Sequence, residues 1–241
     1  MSKTVIISGG MLDEGFAEKV LEANPEAYII AVDKGLEYLY NHKIEPQYIV
    51  GDFDSIDPKV IDYYRKETNI PIREYNPVKD ATDTEIALRL GITLGSKEMI
   101  LLGATGGRID HLWANVQTLS VACDAGVNAC ILDEKNKIWV TNKSCVLKKV
   151  RSIRTISFCI SLEGEIYDFS LEGTKWPLNH HDLMPCDSLT VSNQFVDDEV
   201  KIQFVMVGLL LWKRKTDKRC IRREKPDIIR KWYLVFLRKR Y

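Results

Sequence analysis

The sequence predicts an α/β protein in which a mostly parallel sheet is followed by a smaller all-β domain. Over the first 140 residues, short apolar runs alternate with segments of helical periodicity, a pattern typical of parallel strands covered by helices. From about Asn142 the runs become short and β-branched, with turn residues between them. That texture is typical of a β-sandwich or barrel. We therefore expect an α/β domain over residues 1–140, a β-sandwich domain over residues 141–211 and a basic segment over residues 212–241.

The strands of the first domain are expected to be short and apolar: Thr4–Ser8, Tyr28–Val32, Tyr48–Val50, Ile70–Glu74, Met99–Leu102 and Ala129–Leu132. Two of the segments between them have clear helical periodicity. In one, apolar residues recur every four positions at Ile86, Leu90 and Leu94; in the other, one face carries Ile109, Leu112, Val116 and Leu119. The strands of the second domain are expected at Ile153–Ile160, Glu165–Leu171, Ser188–Val191 and Val200–Val205, with an exposed turn at Asn179–Asp182.

The composition excludes several classes of protein. Apolar residues make up 45% of the 241 residues and charged residues 28%, which is ordinary for a globular protein. Six cysteines without a CxxC pair and four scattered histidines do not form a zinc motif, so we expect reduced thiols and a cytoplasmic location. The apolar run Phe204–Trp212 is less than half of the roughly 20 residues that cross a membrane, so no membrane partner is expected.

The charge is distributed unevenly. Residues 212–241 contain 13 Lys and Arg against 3 Asp and Glu, whereas the whole chain has a formal net charge of zero. One interpretation is an atypical or frameshifted end that is unrelated to function, and we favour it. The other is an arm that binds nucleic acid or an anionic membrane, because clustered Lys and Arg attract phosphates without regard to sequence.

Carboxylates follow successive strands of the predicted sheet, at the point where each strand ends. They are Asp33, Asp52, Asp54, Asp80, Asp83 and Asp110. Ligands of open α/β sheets bind beyond the carboxyl ends of the strands, so these side chains are expected to meet at one edge. Such a cluster is costly without a cation, because neighbouring carboxylates repel one another. Oxygen ligands without cysteine or clustered histidine suit Mg²⁺. Asp52 and Asp54, two residues apart, are expected to point to the same side of an extended backbone.

The segment Gly103–His111 lies between a predicted strand and an amphipathic helix. Its glycines allow a ligand to approach the backbone, and the free N–H groups of a helix start favour an anion. Arg108 lies where the helix dipole disfavours a cation, which indicates a phosphate there. The segment is not a P-loop, because the GK[ST] element is missing. Thr82 followed by Glu85 three residues later predicts a helix capping box, which by itself accounts for both residues.

Three blocks in series resemble the signature of the thiamine pyrophosphokinases. They are Gly51–Ile56, Asp80–Asp83 and Gly103–His111, and their order and spacing agree with the family. The resemblance continues through Gly173–Leu178 and Thr190–Asn193, and it covers roughly residues 1–205. It implies a homodimer that transfers diphosphate from ATP to the hydroxyl of thiamine, with AMP as the second product. The α/β domain is then catalytic, and the β-sandwich binds thiamine across the dimer interface.

Residue roles follow from the resemblance. Asp52, Asp54, Asp83 and Asp110 are expected to hold Mg²⁺ and the triphosphate, Arg108 to clamp phosphate, and Asp80 and Thr82 to position the reactants. ATP binding is also expected to involve Asp33, Thr105, Gly106 and Gly107. Trp176, Ser192 and Asn193 are expected to contact the thiamine pyrimidine. Which aspartate accepts the hydroxyl proton, if any of them does, stays open.

Three alternatives remain. A haloacid-dehalogenase-like phosphatase has a DxD block similar to Asp52–Asp54, but that block normally follows the first strand, and here it follows the third. A pyrophosphokinase acting on a pterin alcohol shares the chemistry and differs in its acceptor. A nucleic-acid-binding protein acting through its basic segment ranks third, because it leaves the acidic strand ends unexplained.

Overall fold

The computed structural model describes residues 3–75, 80–149, 155–162, 164–205 and 209–215. The helices in these residues are α1 Glu14–Glu22, α2 Gly35–Asn41, α3 Pro58–Glu67, α4 Asp83–Thr93 and α5 Ile109–Asp124. The strands are β1 Lys3–Ile7, β2 Tyr28–Val32, β3 Tyr48–Gly51, β4 Ile72–Glu74, β5 Glu98–Leu102, β6 Asn128–Leu132, β7 Asn136–Thr141, β8 Cys145–Lys148, β9 Thr155–Ser161, β10 Ile166–Glu172, β11 Leu178–Leu183, β12 Asn193–Gln194, β13 Glu199–Val205 and β14 Leu209–Lys215.

Six parallel strands form one half of a ten-stranded sheet, in the order β6-β5-β1-β2-β3-β4. The chain runs from β1 outward to β4 and then returns to place β5 on the other side of β1. The strand order therefore reverses at β1. In open α/β sheets a crevice opens beyond the carboxyl ends of the strands at such a point, and ligands bind there.

Helices cover both faces of the parallel strands because successive side chains of a buried strand point to opposite faces. On β1, Ile6 packs into one core with Leu88 of α4 and Val116 of α5. Its neighbours Val5 and Ile7 pack into the other core, with residues of α1, α2 and α3. Both faces are thus closed, which leaves the ends of the strands as the accessible part of the sheet.

The other half of the large sheet is antiparallel, with the order β12-β9-β14-β7 continuing from β6. A separate antiparallel sheet has the order β11-β10-β13-β8. The two pack face to face through a core that includes Phe169, Ile202 and Leu211. The predicted fold class, an α/β domain followed by a smaller β-sandwich, is confirmed. Within the described residues, no helix is long and apolar enough to cross a membrane.

Several local predictions were wrong. Ser188–Val191 forms turns, since the N–H of Val191 bonds the carbonyl of Ser188 at 3.0 Å. Residues 179–182, expected as a turn, lie inside β11, which pairs with β10. Ile109 is 78% exposed and does not join the apolar face of α5.

The first residues of the basic segment belong to the large sheet. β14 continues to Lys215 and pairs along its length with both β7 and β9, so the first residues of the expected basic segment lie in a central strand. Residues 216–241, on which the interpretations of the basic segment depend, lie outside the described residues. So do residues 153–154 of the strand expected at 153–160.

Candidate active site

A cleft of about 1090 Å³ lies at the carboxyl ends of β1, β2, β3 and β5. Its walls come from the residues directly after those strands and from the starts of α2, α4 and α5. Most of the residues predicted for catalysis or ATP binding line it: Asp33, Asp52, Asp80, Thr82, Asp83, Thr105, Gly106, Gly107 and Arg108. The cleft therefore lies where the reversal of strand order predicts a ligand site.

Three half-buried aspartates meet at this cleft. Asp33, Asp52 and Asp83 each offer a carboxylate oxygen, and these oxygens lie within 4.8 Å of one another. Asp33 follows β2, Asp52 follows β3, and Asp83 is the first residue of α4. Three negative charges this close repel one another unless a cation lies between them. We refer to this group as the aspartate trio.

Gly51 lies against one carboxylate of the trio. Gly51 has φ +159°, and a Cβ at this position would lie 2.0 Å from Oδ1 of Asp33. The same Oδ1 accepts the backbone N–H of Asp52 at 3.2 Å. The end of β3 is therefore packed directly against the carboxylate that follows β2.

The chemistry of the trio fits a hard divalent cation. Its donors are carboxylate oxygens alone, and Mg²⁺ prefers such ligands while keeping several waters or phosphate oxygens in its shell. A zinc site normally includes sulfur or imidazole nitrogen, and the trio has neither.

Two aspartates predicted as ligands lie apart from the trio. Phe53 has φ +59°, so the backbone turns between Asp52 and Asp54 and the extended geometry expected there was wrong. Asp54 is exposed, and its backbone N–H donates to Oδ1 of Asp52 at 3.3 Å. Asp110 is also exposed and is bound to Arg108. The roles of Asp54 and Asp110 as metal ligands stay predictions.

The glycine-rich loop after β5 is fixed to the end of β1. Ser8 donates its N–H to Leu102 at 2.8 Å, and Gly10 donates to Gly103 at 2.8 Å. Gly103 has φ +62°, and a Cβ there would lie 2.2 Å from the carbonyl oxygen of Ser8. From the other side, the buried amide of Asn115 on α5 donates to the carbonyl of Ala104 at 2.9 Å. These contacts tie the loop to the end of β1 and to α5, and so position its backbone groups beside the cleft.

Arg108 lies at the N-terminal end of α5 and is exposed. Its Nη2 contacts Oδ2 of Asp110 at 2.6 Å, and its Nε contacts Oδ1 at 3.3 Å. The hydrogen bond from Arg108 lowers the pKa of the Asp110 carboxyl and raises the pKa of the guanidinium. In this position the fork of Arg108 is held beside the cleft, and Asp110 competes with any anion for it.

The start of α4 brings its N-terminal end to the cleft. Thr82 caps the helix by accepting the N–H of Glu85 at 3.2 Å, as the sequence predicted. Glu85 also lines the cleft, and its carboxylate bonds Arg89 on the same helix. The buried hydroxyl of Thr84 contacts that of Ser8 at 2.9 Å and so ties α4 to β1. The N-terminal end of a helix dipole favours a negative ligand here.

Some residues of the cleft were missed from the sequence. Ser8, Gly9 and Gly10 follow β1, and Lys34 follows Asp33. Ser8, Gly9 and Gly10 could have been predicted, because ligands bind beyond the carboxyl ends of the strands and these residues follow the carboxyl end of β1. Asn115 gave no such signal, because it is a polar residue in the middle of a helix.

Trp176, Ser192 and Asn193 are not among the described residues that line the cleft. Trp176 precedes β11, and its side chain is 37% exposed. Nζ of Lys175 lies 4.5 Å from the centre of its ring. Ser192 is exposed and has φ +63°, whereas Asn193 is buried. The three residues form a second group in the β-sandwich.

Comparison with known proteins gives one consistent result. The family described as the thiamin pyrophosphokinase catalytic domain matches residues 21–131, and the family described as the thiamin pyrophosphokinase vitamin B1 binding domain matches residues 144–206. A thiamine pyrophosphokinase of Bacillus subtilis (strain 168) is 31% identical over 190 residues, covering 78% of this chain and 87% of the relative.

Solved structures agree. The crystal structure of thiamine pyrophosphokinase from Bacillus subtilis has a TM-score of 0.80 at 25% identity, and the match covers 90% of this chain and 100% of that one. The thiamin pyrophosphokinase from Geobacillus thermodenitrificans has a TM-score of 0.74 at 26% identity, with 92% and 100% covered. The two matched families lie on the two parts of the chain that the fold distinguishes.

Proposed function

We propose that this chain, which belongs to the thiamin pyrophosphokinase family, carries out the reaction of that family in the cleft at the carboxyl ends of β1, β2, β3 and β5. The reaction transfers diphosphate from ATP to the hydroxyl of thiamine and yields thiamine diphosphate and AMP. The chain is thus a diphosphotransferase, as the three sequence blocks led us to expect. The observation that supports this location best is the aspartate trio facing a glycine-rich loop and Arg108.

We assign the aspartate trio as the ligands of Mg²⁺. Asp33, Asp52 and Asp83 have the donor chemistry and spacing for it, and their mutual repulsion is relieved by a cation. When bound, the ion neutralises charge on the phosphate oxygens. The backbone N–H of Asp54 donates a hydrogen bond to the carboxylate of Asp52. Asp54 therefore helps to orient one member of the trio, although its own side chain is exposed.

The protein's own groups bind and orient the triphosphate. The loop at Gly103–Gly107 and the N-terminal end of α4 provide backbone N–H groups for phosphate oxygens. When the triphosphate binds, the guanidinium of Arg108 leaves Asp110 and binds a phosphate group instead. It then stabilises the negative charge that develops on the transferred group. Such transfer depends chiefly on positioning and charge neutralisation, since the protein supplies no covalent step.

We assign Trp176, with its exposed ring, to contact with thiamine, and we propose that two chains form a homodimer. The dimer rests on this assignment: Trp176 is not among the described residues that line the cleft of its own chain, so a ring that meets thiamine at that cleft would come from a second copy. Aromatic faces bind flat and cationic groups well, and thiamine has both a pyrimidine ring and a thiazolium cation.

The proposal is tested by incubating the full chain with MgATP and thiamine and measuring AMP, thiamine diphosphate and inorganic phosphate. AMP and thiamine diphosphate are expected in equal amounts, and Asp83→Asn is expected to reduce both about 100-fold or more. Asp62→Asn is the matched control, because Asp62 pairs with Lys66 on the surface of α3 at 3.1 Å. Release of inorganic phosphate without AMP would favour the phosphatase alternative. Turnover of a pterin alcohol, with none of thiamine, would favour the alternative in which the chain is a pyrophosphokinase acting on a pterin.

A further inference from the structure

We propose that Asn193 is a positioning residue that acts through Trp176. Its side-chain amide fixes the backbone on either side of the indole ring, and so it sets the orientation in which that ring meets the substrate. The proposal rests on the assignment of Trp176 to thiamine. It differs from the expectation that Asn193 itself contacts the pyrimidine, because the hydrogen-bonding groups of Asn193 are already engaged.

The amide of Asn193 binds Trp176 in two places. Its Oδ1 accepts the backbone N–H of Trp176 at 3.0 Å, and its Nδ2 donates to the carbonyl oxygen of Trp176 at 2.7 Å. A side-chain amide has the same donor and acceptor as a peptide group, so the Asn193 side chain can bond both backbone polar groups of Trp176. Both backbone polar groups of Trp176 are thereby satisfied by one side chain.

The amide of Asn193 also forms hydrogen bonds with two other residues. Oδ1 also accepts the N–H of Gln194 at 3.0 Å, and Nδ2 also contacts Oγ1 of Thr174 at 3.2 Å. Asn193 is 1% exposed. An amide with this burial and these partners has little left to offer a ligand. Its role is therefore to hold the chain that carries Trp176.

Further bonds hold the two segments together. The N–H of Lys175 donates to the carbonyl of Gln194 at 2.9 Å, and Thr174 forms an isolated bridge with Phe195. Gly173 has φ +77°, and a Cβ there would lie 2.2 Å from the carbonyl oxygen of Glu199. The backbone below the indole is thus fixed on several sides, while the ring itself is exposed. This combination favours a preorganised contact surface.

A double-mutant cycle tests the proposal. The variants are Asn193→Ala, Trp176→Ala and the double variant, with the KM for thiamine, the KM for ATP and the melting temperature measured for each. Asn193→Ala is expected to raise the KM for thiamine roughly 10- to 100-fold and to leave the KM for ATP unchanged. In the Trp176→Ala background the same substitution is expected to have no further effect on the KM for thiamine. An equal effect in both backgrounds overturns the proposal.

Two further variants keep the test decisive. Asn193→Asp keeps the shape of the side chain but replaces the donor to Trp176 with a carboxylate oxygen that faces the carbonyl oxygen of Trp176. It is expected to lower the melting temperature and to raise the KM for thiamine at least as much as Asn193→Ala. Thr4→Val is the control: Thr4 is 0% exposed, lies near the amino end of β1 and its hydroxyl contacts that of Ser96 at 2.6 Å. It is expected to lower the melting temperature without changing the KM for thiamine, and a rise equal to that of Asn193→Asp would overturn the proposal.

The cycle also distinguishes failure of the positioning role of Asn193 from failure of the assignment of Trp176 to thiamine. An unchanged KM for thiamine in Trp176→Ala would show that Trp176 does not contact thiamine, and the positioning role of Asn193 would then be overturned as well. A raised KM in Trp176→Ala together with an unchanged KM in both Asn193 variants overturns the positioning role alone.

Discussion

Substitution of Gly51 by alanine is expected to damage the aspartate trio while leaving the fold intact. The new Cβ would lie 2.0 Å from Oδ1 of Asp33, whereas such contacts are essentially never shorter than 3.0 Å. The carboxylate of Asp33 must therefore retreat by about 1 Å. The retreat also lengthens the bond of 3.2 Å that Oδ1 accepts from the N–H of Asp52, so two members of the trio are disturbed together.

The size of the effect follows from the displacement. A misplacement of about 1 Å costs roughly 100-fold in rate when positioning dominates catalysis. Backbone strain at the φ of +159° adds a loss of stability of about 1–3 kcal/mol. The assay measures AMP formation against Mg²⁺ concentration at saturating ATP and thiamine. We expect kcat to fall about 100-fold and the Mg²⁺ concentration for half-maximal rate to rise.

Gly95→Ala provides the control for strain. Gly95 has φ +83°, and a Cβ there meets nothing within 4 Å, so this variant should lose similar stability and keep its activity. If Gly51→Ala retained the kcat and the Mg²⁺ dependence of the unmodified chain, the close contact between β3 and Asp33 would have no functional meaning and the reasoning would be refuted.

Three other outcomes are expected. Asn115→Leu leaves the buried carbonyl of Ala104 without its donor and should lower the free energy of unfolding by about 1–3 kcal/mol, measured by urea denaturation. Gly103→Ala should destabilise the chain more than Gly95→Ala, because its Cβ would meet the carbonyl oxygen of Ser8 at 2.2 Å; equal melting temperatures would contradict this. Burial raises the pKa of Tyr64 from 10.0 to about 12, so its stabilising contribution is complete below pH 10 and is lost as the pH rises through 12. Tyr64→Phe should therefore flatten the decline in stability over that range, and an unchanged decline would contradict the assignment.

Much of the parallel sheet could be predicted because its strands are buried on both faces and so appear as short apolar runs. The same logic located the cleft, since parallel strands deliver their following residues to one edge. Asp33, Asp52 and Asp83 lie far apart in sequence, yet the order of strands alone predicts that they meet.

The details of the site could not be predicted in the same way. An extended backbone at Asp52 and Asp54 was a reasonable expectation, but Phe53 adopts a left-handed conformation and turns Asp54 outward. The ion pair between Arg108 and Asp110 depends on side-chain conformation, which no spacing specifies. β7 was missed although it pairs with β6, the strand directly before it; its other partner, β14, follows about seventy residues later and leaves no local pattern.

The most direct test of the account compares Asp33→Asn with Asp54→Asn. In each variant the Mg²⁺ concentration for half-maximal formation of thiamine diphosphate is measured at fixed ATP. Because Asp33 belongs to the aspartate trio and Asp54 is exposed beside it, Asp33→Asn is expected to raise that concentration well above the value for Asp54→Asn. An Asp33→Asn variant with an unchanged requirement for Mg²⁺ would contradict the account.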